Sequence, residues 1–278
     1  MIKLEKVTMK YANGKGIFDV DFEVREGEVV GFLGPNGAGK TTTIRCLLGF
    51  AKAQNGTCTV NGLECFSNAP KIAKDIGFIA GEPAFPDGMT GLEYLNYLCE
   101  TRKRDVAFDM KKKMHELIDY FEFDPKGKIK RMSKGMKQKT AIVGAFLHDP
   151  KVYIFDEPTS GLDPIMQSKF IDLVLAEKKR GKTILMSSHM FEEIERASDY
   201  VVIIKGGRIV AKDKVATLKN LTSKVFIVNG EEVTVPNTEV DKFVKQIAKK
   251  KVESLDVKQV SLESIFMKYY EDKEGAKK

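Results

Sequence analysis

Short runs of β-branched and aromatic residues recur along the chain, and stretches with helical spacing of apolar residues separate several of them. The runs predict strands at residues 2–9, 29–33, 76–79, 152–155, 183–186 and 200–204. Strands that alternate with helices are typical of an α/β domain whose central sheet is mainly parallel. In such sheets, ligands bind at the carboxyl ends of the strands.

Helical signals replace the strand pattern in the middle of the chain. Thr90 and Glu93 have the spacing of a capping box, which begins a helix, and residues 108–121 repeat apolar positions at helical spacing. We therefore expect a helical subdomain, at about residues 88–150, that is inserted into the sheet domain.

Two further signals divide the remaining sequence. Asp163 and Pro164 are the residue types of a helix N-cap and first turn, and Gly181 is the type that ends a helix. After residue 211 the sequence becomes rich in lysine. We therefore expect a main domain of residues 1–211 and a small accessory segment of residues 212–278. The segment is predicted to hold strands at 224–228, 233–235 and 254–258, helices from 239 and at 261–271, and a frayed tail from 272.

Composition limits the classes of protein to which the chain can belong. Its 278 residues are 42% apolar, enough for a sizeable core, and its net charge of +7 suits nucleic acid, an anionic membrane surface or phosphate ligands alike. Nearly uncharged apolar runs, such as that at residues 29–33, are far shorter than the roughly 20 residues of a membrane-spanning helix. Residues 1–7 alternate like a strand and carry no secretory signal, so we expect a cytoplasmic chain. Four cysteines without a C-x-x-C pair indicate reduced thiols.

The sequence GPNGAGKT at residues 34–41 matches the phosphate-binding pattern G-x-x-x-x-G-K-[ST]. It follows a predicted strand and precedes a helical run, as the pattern requires. Glycines let the backbone N–H groups converge on phosphates, and the helix N-terminus adds positive potential. Lys40 is predicted to neutralise the β- and γ-phosphates, and Thr41 to place its hydroxyl on Mg²⁺. The predicted nucleotide ligands of this loop are Asn36, Gly37, Ala38, Gly39, Lys40, Thr41 and Thr42.

Two acidic residues, Asp156 and Glu157, follow the apolar strand at residues 152–155. Burying an unpaired carboxylate is costly, so a cation is expected nearby, and Mg²⁺ at the phosphates would serve. We assign Asp156 to the metal and Glu157 to the attacking water as general base. The alternative, an acid pair that only caps a neighbouring loop, is disfavoured by the phosphate loop in the same sheet. These residues together indicate a P-loop NTPase.

The order of the next motifs narrows this class. Residues 131–138 read RMSKGMKQ, and they precede FLHDP at residues 146–150 and the strand that carries the two acids. This order resembles the ABC transporter ATPases, in which a signature segment, a helix, the Walker B strand, a D-loop and a switch histidine follow one another. The resemblance covers about residues 1–211. It implies an ABC ATPase fold, with an antiparallel β part beside the parallel sheet.

The resemblance also implies roles for single residues. Tyr11 stands where an aromatic ring stacks on adenine, and Ser133 and Gly135 stand where the signature contacts the γ-phosphate of ATP held by a second subunit. Asp163 falls in the segment similar to the D-loop, and His189 at the switch histidine, a third catalytic residue beside Lys40 and Glu157. The consequence is a head-to-tail dimer with two ATP molecules at its interface.

Simpler interpretations of four of these residues stay open. Tyr11 would also fit as an ordinary core or surface aromatic, and His189 as a histidine at the start of a helix. Asp163 and Ser133 are competent helix N-caps, a structural role that is compatible with the nucleotide role.

The sequence departs from the family pattern at two places. Gly81 stands where a glutamine that approaches Mg²⁺ is usual, so the neighbouring Glu82 is the candidate metal ligand there. The signature has Lys134 and Met136 in place of a glycine and a glutamine. Several more lysines surround it, and solvated surface charge, contact with a partner's nucleotide or contact with an anionic leaflet all explain such a run. Nucleic acid is not expected as a partner, because no aromatic residues interleave the basic ones.

The predicted function is therefore ATP binding and Mg²⁺-dependent hydrolysis that power transport through separate integral membrane permease subunits. Similarity to bacterial ABC-2 exporters makes export the expected direction, and places the chain on the inner face of the cell membrane. The second ATPase subunit is either an identical chain or a paired relative. One alternative is a soluble ABC ATPase that acts on ribosomes or DNA, but such proteins usually have two cassettes or a long coiled coil, and this chain has neither. The other is a P-loop kinase, which would have no use for the signature segment.

Overall fold

The computed structural model describes residues 1–102, 109–220, 224–236 and 239–258. Six strands form its central sheet: β3 (Val29–Leu33), β6 (Ile76–Ile79), β7 (Val152–Asp156), β8 (Thr183–Ser188), β9 (Tyr200–Lys205) and β10 (Arg208–Lys214). Their order is β10-β9-β3-β8-β7-β6, and all neighbouring pairs are parallel except β10 with β9. The prediction of a mainly parallel sheet is confirmed.

A second, antiparallel sheet packs beside the first. It contains β1 (Ile2–Lys10), β2 (Gly16–Val24), β4 (Asn55–Val60) and β5 (Leu63–Glu64), in the order β2-β1-β4-β5. Strand β2 is missing from the predicted strands, which were identified by apolar runs. Its buried Val20, Phe22 and Val24 instead alternate with acidic residues, the pattern of a half-buried strand.

The central strands are buried on both faces, as expected for a parallel sheet between two layers. Val30 and Phe32 of β3 face a core shared with the antiparallel sheet and with helices α1 (Lys40–Leu47) and α2 (Ala69–Asp75). Val29 and Leu33 face a second core on the opposite side. Helices that contribute to this second core include α3 (Gly91–Thr101), α4 (Met110–Tyr120), α5 (Lys134–Phe146), α6 (Pro164–Lys179) and α7 (Phe191–Ala197).

Helices α3, α4 and α5 lie in sequence between the adjacent strands β6 and β7, where the inserted helical subdomain is predicted. Thr90 and Glu93 form the predicted capping box of α3. Asp163 caps α6 as predicted, with Pro164 in its first turn, and Gly181 has a left-handed φ of 78° just beyond its end.

Two elements lie at and beyond residue 211, the predicted end of the main domain. Strand β10 continues to Lys214, and the helix that follows it, α8 (Val215–Asn220), places Val215 and Leu218 in the second core of the main domain. Residues 212–218 therefore pack with the main domain. In the sequence, lysines on the exposed side of β10 hide the continuing strand.

The last described elements form a small three-stranded sheet. It contains β11 (Lys224–Val228), β12 (Glu231–Val235) and β13 (Leu255–Lys258), in the order β12-β11-β13, and helix α9 (Val240–Ile247). Phe243 of α9 packs on Phe226 of β11, with ring centroids 4.9 Å apart. The predicted helix at 261–271 and the tail from 272 lie outside the described residues.

The four cysteines are free and buried, in agreement with the absence of a paired spacing. Burial raises the pKa of Cys46 to about 11, which keeps its thiol protonated and unreactive near neutral pH. No helix in the described ranges combines the length and the apolar composition that crossing a membrane requires.

Candidate nucleotide-binding site

The phosphate loop joins the carboxyl end of β3 to the first residue of α1. Gly39 is the N-cap of α1 and has a φ of 118°, which L-residues with side chains rarely adopt. A Cβ atom at Gly39 would also lie 2.8 Å from Ile17 and 3.0 Å from Ile204. Only glycine therefore fits here, and the tight turn directs the first N–H groups of α1, which lack partners within the helix, toward the end of the sheet.

The Lys40 side chain is buried and folds back over the loop. Its Nζ atom donates to the carbonyl oxygens of Gly34 at 2.6 Å and of Pro35 at 3.3 Å, and it lies 3.3 Å from Oε1 of Glu157. The ammonium group is thus held at the loop, where it meets one of the two predicted carboxylates.

Asp156 receives two hydroxyl donors, one on each carboxylate oxygen. Thr41 Oγ1 donates to Oδ2 at 2.7 Å, and Ser187 Oγ donates to Oδ1 at 2.6 Å. Asp156 and Ser187 are register partners on the parallel strands β7 and β8, so both side chains end at the same sheet edge. From the sequence, Thr41 and Asp156 were each assigned to Mg²⁺, and their direct hydrogen bond places them side by side. No pattern in the sequence indicates Ser187.

Glu157 is positioned by an unusual backbone conformation. Its φ of 47° is left-handed for a residue with a side chain, a kind of strain that concentrates at functional sites. Its backbone N–H donates to the carbonyl oxygen of Ser187 at 3.2 Å and to the Ser187 hydroxyl at 3.1 Å. The carboxylate lies between Lys40 and His189, whose Nδ1 atom is 3.3 Å from Oε2. The structure thus brings the three predicted catalytic residues together.

A cavity of about 310 Å³ opens above the loop. The predicted residues that line it are Tyr11, Asn36, Gly37, Gly39, Lys40, Thr41, Thr42 and Glu157. Four lining residues were not predicted: Pro35 of the phosphate loop, and Asn13, Lys15 and Gly16, from the turn between β1 and β2 and the start of β2. Lys15 adds a second cation, and its position depends on strand β2, which the predicted strands lack. The Ala38 side chain instead packs into the core on the antiparallel side.

The structure does not bring the signature residues to this cavity. Ser133 caps α5, and its hydroxyl accepts from the backbone N–H of Met136 at 3.2 Å. A Cβ atom at Gly135 would lie 2.8 Å from the carbonyl oxygen of Gly161, so the start of α5 packs directly on the loop before α6. Asp163 in that loop caps α6 by accepting from Met166 N–H at 3.0 Å.

The departure at Gly81 lies beside the carboxylates. A Cβ atom at Gly81 would be 3.4 Å from the carbonyl oxygen of Asp156 and 3.9 Å from Cβ of Glu157. Glu82, the predicted substitute ligand, is exposed and does not line the cavity. Nothing in the described geometry brings Glu82 to Thr41 or Asp156.

The sequence of the chain matches a known protein family. Residues 17–160, more than half of the chain, match the sequence model of the ABC transporter family. The chain belongs to the ABC transporter family.

Relatives and a solved structure extend the assignment. This ABC transporter chain is 36% identical to the bacitracin transport ATP-binding protein BcrA of Bacillus licheniformis, over 81% of this chain and 73% of the relative. It is 31% identical to the Nod factor export ATP-binding protein I of Cupriavidus pinatubonensis, over 77% of this chain and 66% of the relative. A dimeric bacterial ABC transporter cassette matches with a TM-score of 0.70 and 25% identity, over 77% of this chain and 99% of the cassette.

These matches confirm the predicted family and the predicted ABC ATPase fold. The ABC transporter chain is an ATP-binding subunit, and an ATPase, that powers transport.

Proposed function

We propose that the cavity above the phosphate loop binds Mg²⁺ and ATP, that Glu157 activates water for hydrolysis, and that the chain powers export through separate membrane subunits. The observation that carries the proposal is the contact of two adjacent loop residues with two adjacent acids: Lys40 with Glu157 and Thr41 with Asp156. A cation, a hydroxyl and two carboxylates at one sheet edge are the parts that phosphoryl transfer to water requires.

The donor set of Thr41 and Asp156 fits Mg²⁺. This ion prefers oxygen ligands, and it is usually held by one or two carboxylates together with substrate phosphates and waters. Among the described residues, no group of three or more His, Cys, Asp or Glu side chains is placed to hold a metal ion, so the proposed site relies on phosphate and water ligands as well. Because Thr41 donates its proton to Asp156, the lone pairs of its oxygen remain available to the metal. Bound Mg²⁺ would supply positive charge at the phosphate oxygens.

The proposed catalytic roles follow from the charges around Glu157. Its carboxylate is acceptor-only when ionised, so it can orient a water molecule and take its proton. Lys40 and His189 contact this carboxylate from two sides, and both can turn to the γ-phosphate when nucleotide occupies the cavity. We assign Lys40 and His189 to stabilising phosphate charge, and Tyr11, on the cavity wall, to stacking on adenine.

A second ATPase subunit is part of the proposal. Ser133 and Gly135 lie outside the cavity of their own chain, at the free N-terminus of α5, and such a terminus favours anions. The dimeric cassette that this chain resembles supports a pair of ATPase subunits. Because the signature residues lie outside their own cavity, the proposed pair is head-to-tail, with the signature of one subunit at the nucleotide of the other. The partner is an identical chain or a close relative.

The export direction and the membrane partner rest on the relatives. One is named for Nod factor export and another for bacitracin transport. We propose that the chain binds separate permease subunits at the inner face of the cell membrane, with residues 1–220 as the ATPase domain and the following residues as an accessory segment.

Phosphate release by the purified chain tests the catalytic part of the proposal. We expect ATP hydrolysis in Mg²⁺ that stops when EDTA removes the metal, and no transfer of phosphate to an added acceptor. Transfer to an acceptor instead of water would favour a kinase. For the transport part, a permease should copurify with the chain from detergent extract of its native membrane, and copurification with ribosomes instead would contradict it.

A further inference from the structure

One fully buried hydroxyl contacts both of the acidic residues at the carboxyl end of β7. Ser187 Oγ donates to Oδ1 of Asp156 at 2.6 Å and accepts from the backbone N–H of Glu157 at 3.1 Å. Ser187 has no exposed surface, so solvent cannot replace either bond. This single side chain therefore links the proposed metal ligand to the backbone of the proposed general base.

We propose that Ser187 is a positioning residue, which holds the Asp156 carboxylate in the orientation that binds Mg²⁺ together with Thr41. This inference rests on the proposed function of the cavity and adds a residue to it. Ser187 is placed to act through Asp156 and not on the nucleotide directly, because its side chain is fully buried and does not line the cavity.

The chemistry of the carboxylate explains why two donors are needed. An ionised carboxylate offers about four lone-pair positions on two oxygens, and it rotates freely unless both oxygens are held. Thr41 holds Oδ2 and Ser187 holds Oδ1, which fixes the plane of the group. The remaining lone pairs then point in constant directions. Residues that hold a ligating carboxylate in this way commonly tune metal affinity.

The neighbouring serine does not share this function. Ser188 Oγ donates to Oε2 of Glu193 at 2.7 Å and accepts from the backbone N–H of Met190 at 2.9 Å, so it braces the segment around His189. Only Ser187 is the register partner of Asp156 across β7 and β8. The two serines therefore serve different parts of the same sheet edge.

The proposal is tested with Ser187→Ala and with the control Thr183→Val. Thr183 lies on the same strand and is also buried, and its hydroxyl accepts from Gly27 N–H at the opposite end, away from the carboxylates. Each variant is saturated with a non-hydrolysable ATP analogue and titrated with Mn²⁺ in place of Mg²⁺. Electron paramagnetic resonance measures the free Mn²⁺. We expect Ser187→Ala to weaken metal affinity by about tenfold or more, and Thr183→Val to leave it unchanged.

A second readout separates positioning from general damage. Without metal, the affinity for the analogue should be the same in the wild-type chain and in Ser187→Ala, since Lys40 and the loop are intact. Ser187→Ala with wild-type Mn²⁺ affinity would overturn the inference and leave the proposed function standing. A wild-type chain that binds no nucleotide would overturn the proposed function instead.

A folding failure of Ser187→Ala leaves the test available through Ser187→Cys. The thiol is of similar shape but is only a weak donor, so it should lose metal affinity in the same direction and to a smaller extent. Full wild-type metal affinity in the folded Cys variant would contradict the role of the hydroxyl.

Discussion

At the residue scale, the cavity depends on contacts between side chains that are distant in sequence. The phosphate loop and the acid pair are recognisable in the sequence because each is a local pattern whose residues are neighbours. Ser187 is not, because a serine at the end of an apolar strand has no spacing that reveals its bond to Asp156. Its partner is set by the register of β7 with β8, which appears only when the sheet is assembled.

The charge at Lys40 gives the first prediction. Lys40→Ala removes a buried ammonium group that contacts Glu157, and it leaves that carboxylate facing the phosphates without a compensating cation. A hydrogen bond to a charged group is worth about 1.5–3 kcal/mol, so we expect nucleotide affinity to fall by roughly 10- to 100-fold or more. Titration with a fluorescent ATP analogue measures this loss. Lys3→Ala, on the exposed side of β1, is the control, and unaltered affinity in Lys40→Ala would refute the phosphate role.

At the scale of elements, the sequence predicted those with strong local signals. The capping box of α3, the N-cap of α6 and the buried strands of the parallel sheet are confirmed, because their residues specify the element without long-range contacts. Strand β4, with its threonines, and β2, with its outward acids, depend for their burial on pairing with β1. The alternation in β2 and the threonines in β4 do favour strands, but neither sequence has the apolar run by which the other strands were predicted.

Asp163 allows the two roles of one residue to be separated. Asp163→Ala removes the cap of α6, in which the carboxylate accepts from Met166 N–H, and should lower the free energy of unfolding by about 1 kcal/mol. Asp163→Asn is the matched control, since asparagine caps as well as aspartate. Urea unfolding measures both variants. If Asp163→Asn keeps stability but loses ATPase activity, the residue also serves the nucleotide; equal stability of all three proteins would contradict the capping role.

At the scale of the whole molecule, the boundary of the ATPase domain makes a quantitative prediction. A chain ending at residue 211 lacks the end of β10 and the two α8 side chains, Val215 and Leu218, that are buried in the second core. Full burial of such a side chain contributes about 1.5–3 kcal/mol, so this chain should be less stable than one ending at residue 220 by roughly 3 kcal/mol or more. Urea unfolding of the two chains compares them directly. Equal urea midpoints for the two chains would support a domain boundary at residue 211.

The assembly of two subunits gives the last prediction. Glu157→Gln keeps the size of the side chain but cannot take a proton from water, so hydrolysis should stop while ATP still binds. The neutral amide also removes the repulsion between the carboxylate and the γ-phosphate, which favours ATP in the cavity.

If each nucleotide is held between the phosphate loop of one chain and Ser133 of the other, ATP should convert this variant from monomer to dimer. Light scattering after size exclusion measures the mass, with ADP and the double variant Lys40→Ala, Glu157→Gln as controls that should remain monomeric. Unchanged hydrolysis would remove Glu157 as the base. Lost hydrolysis without an ATP-dependent dimer would contradict the shared site, because the signature residues do not line the cavity of their own chain and can contact only a nucleotide held by a second chain.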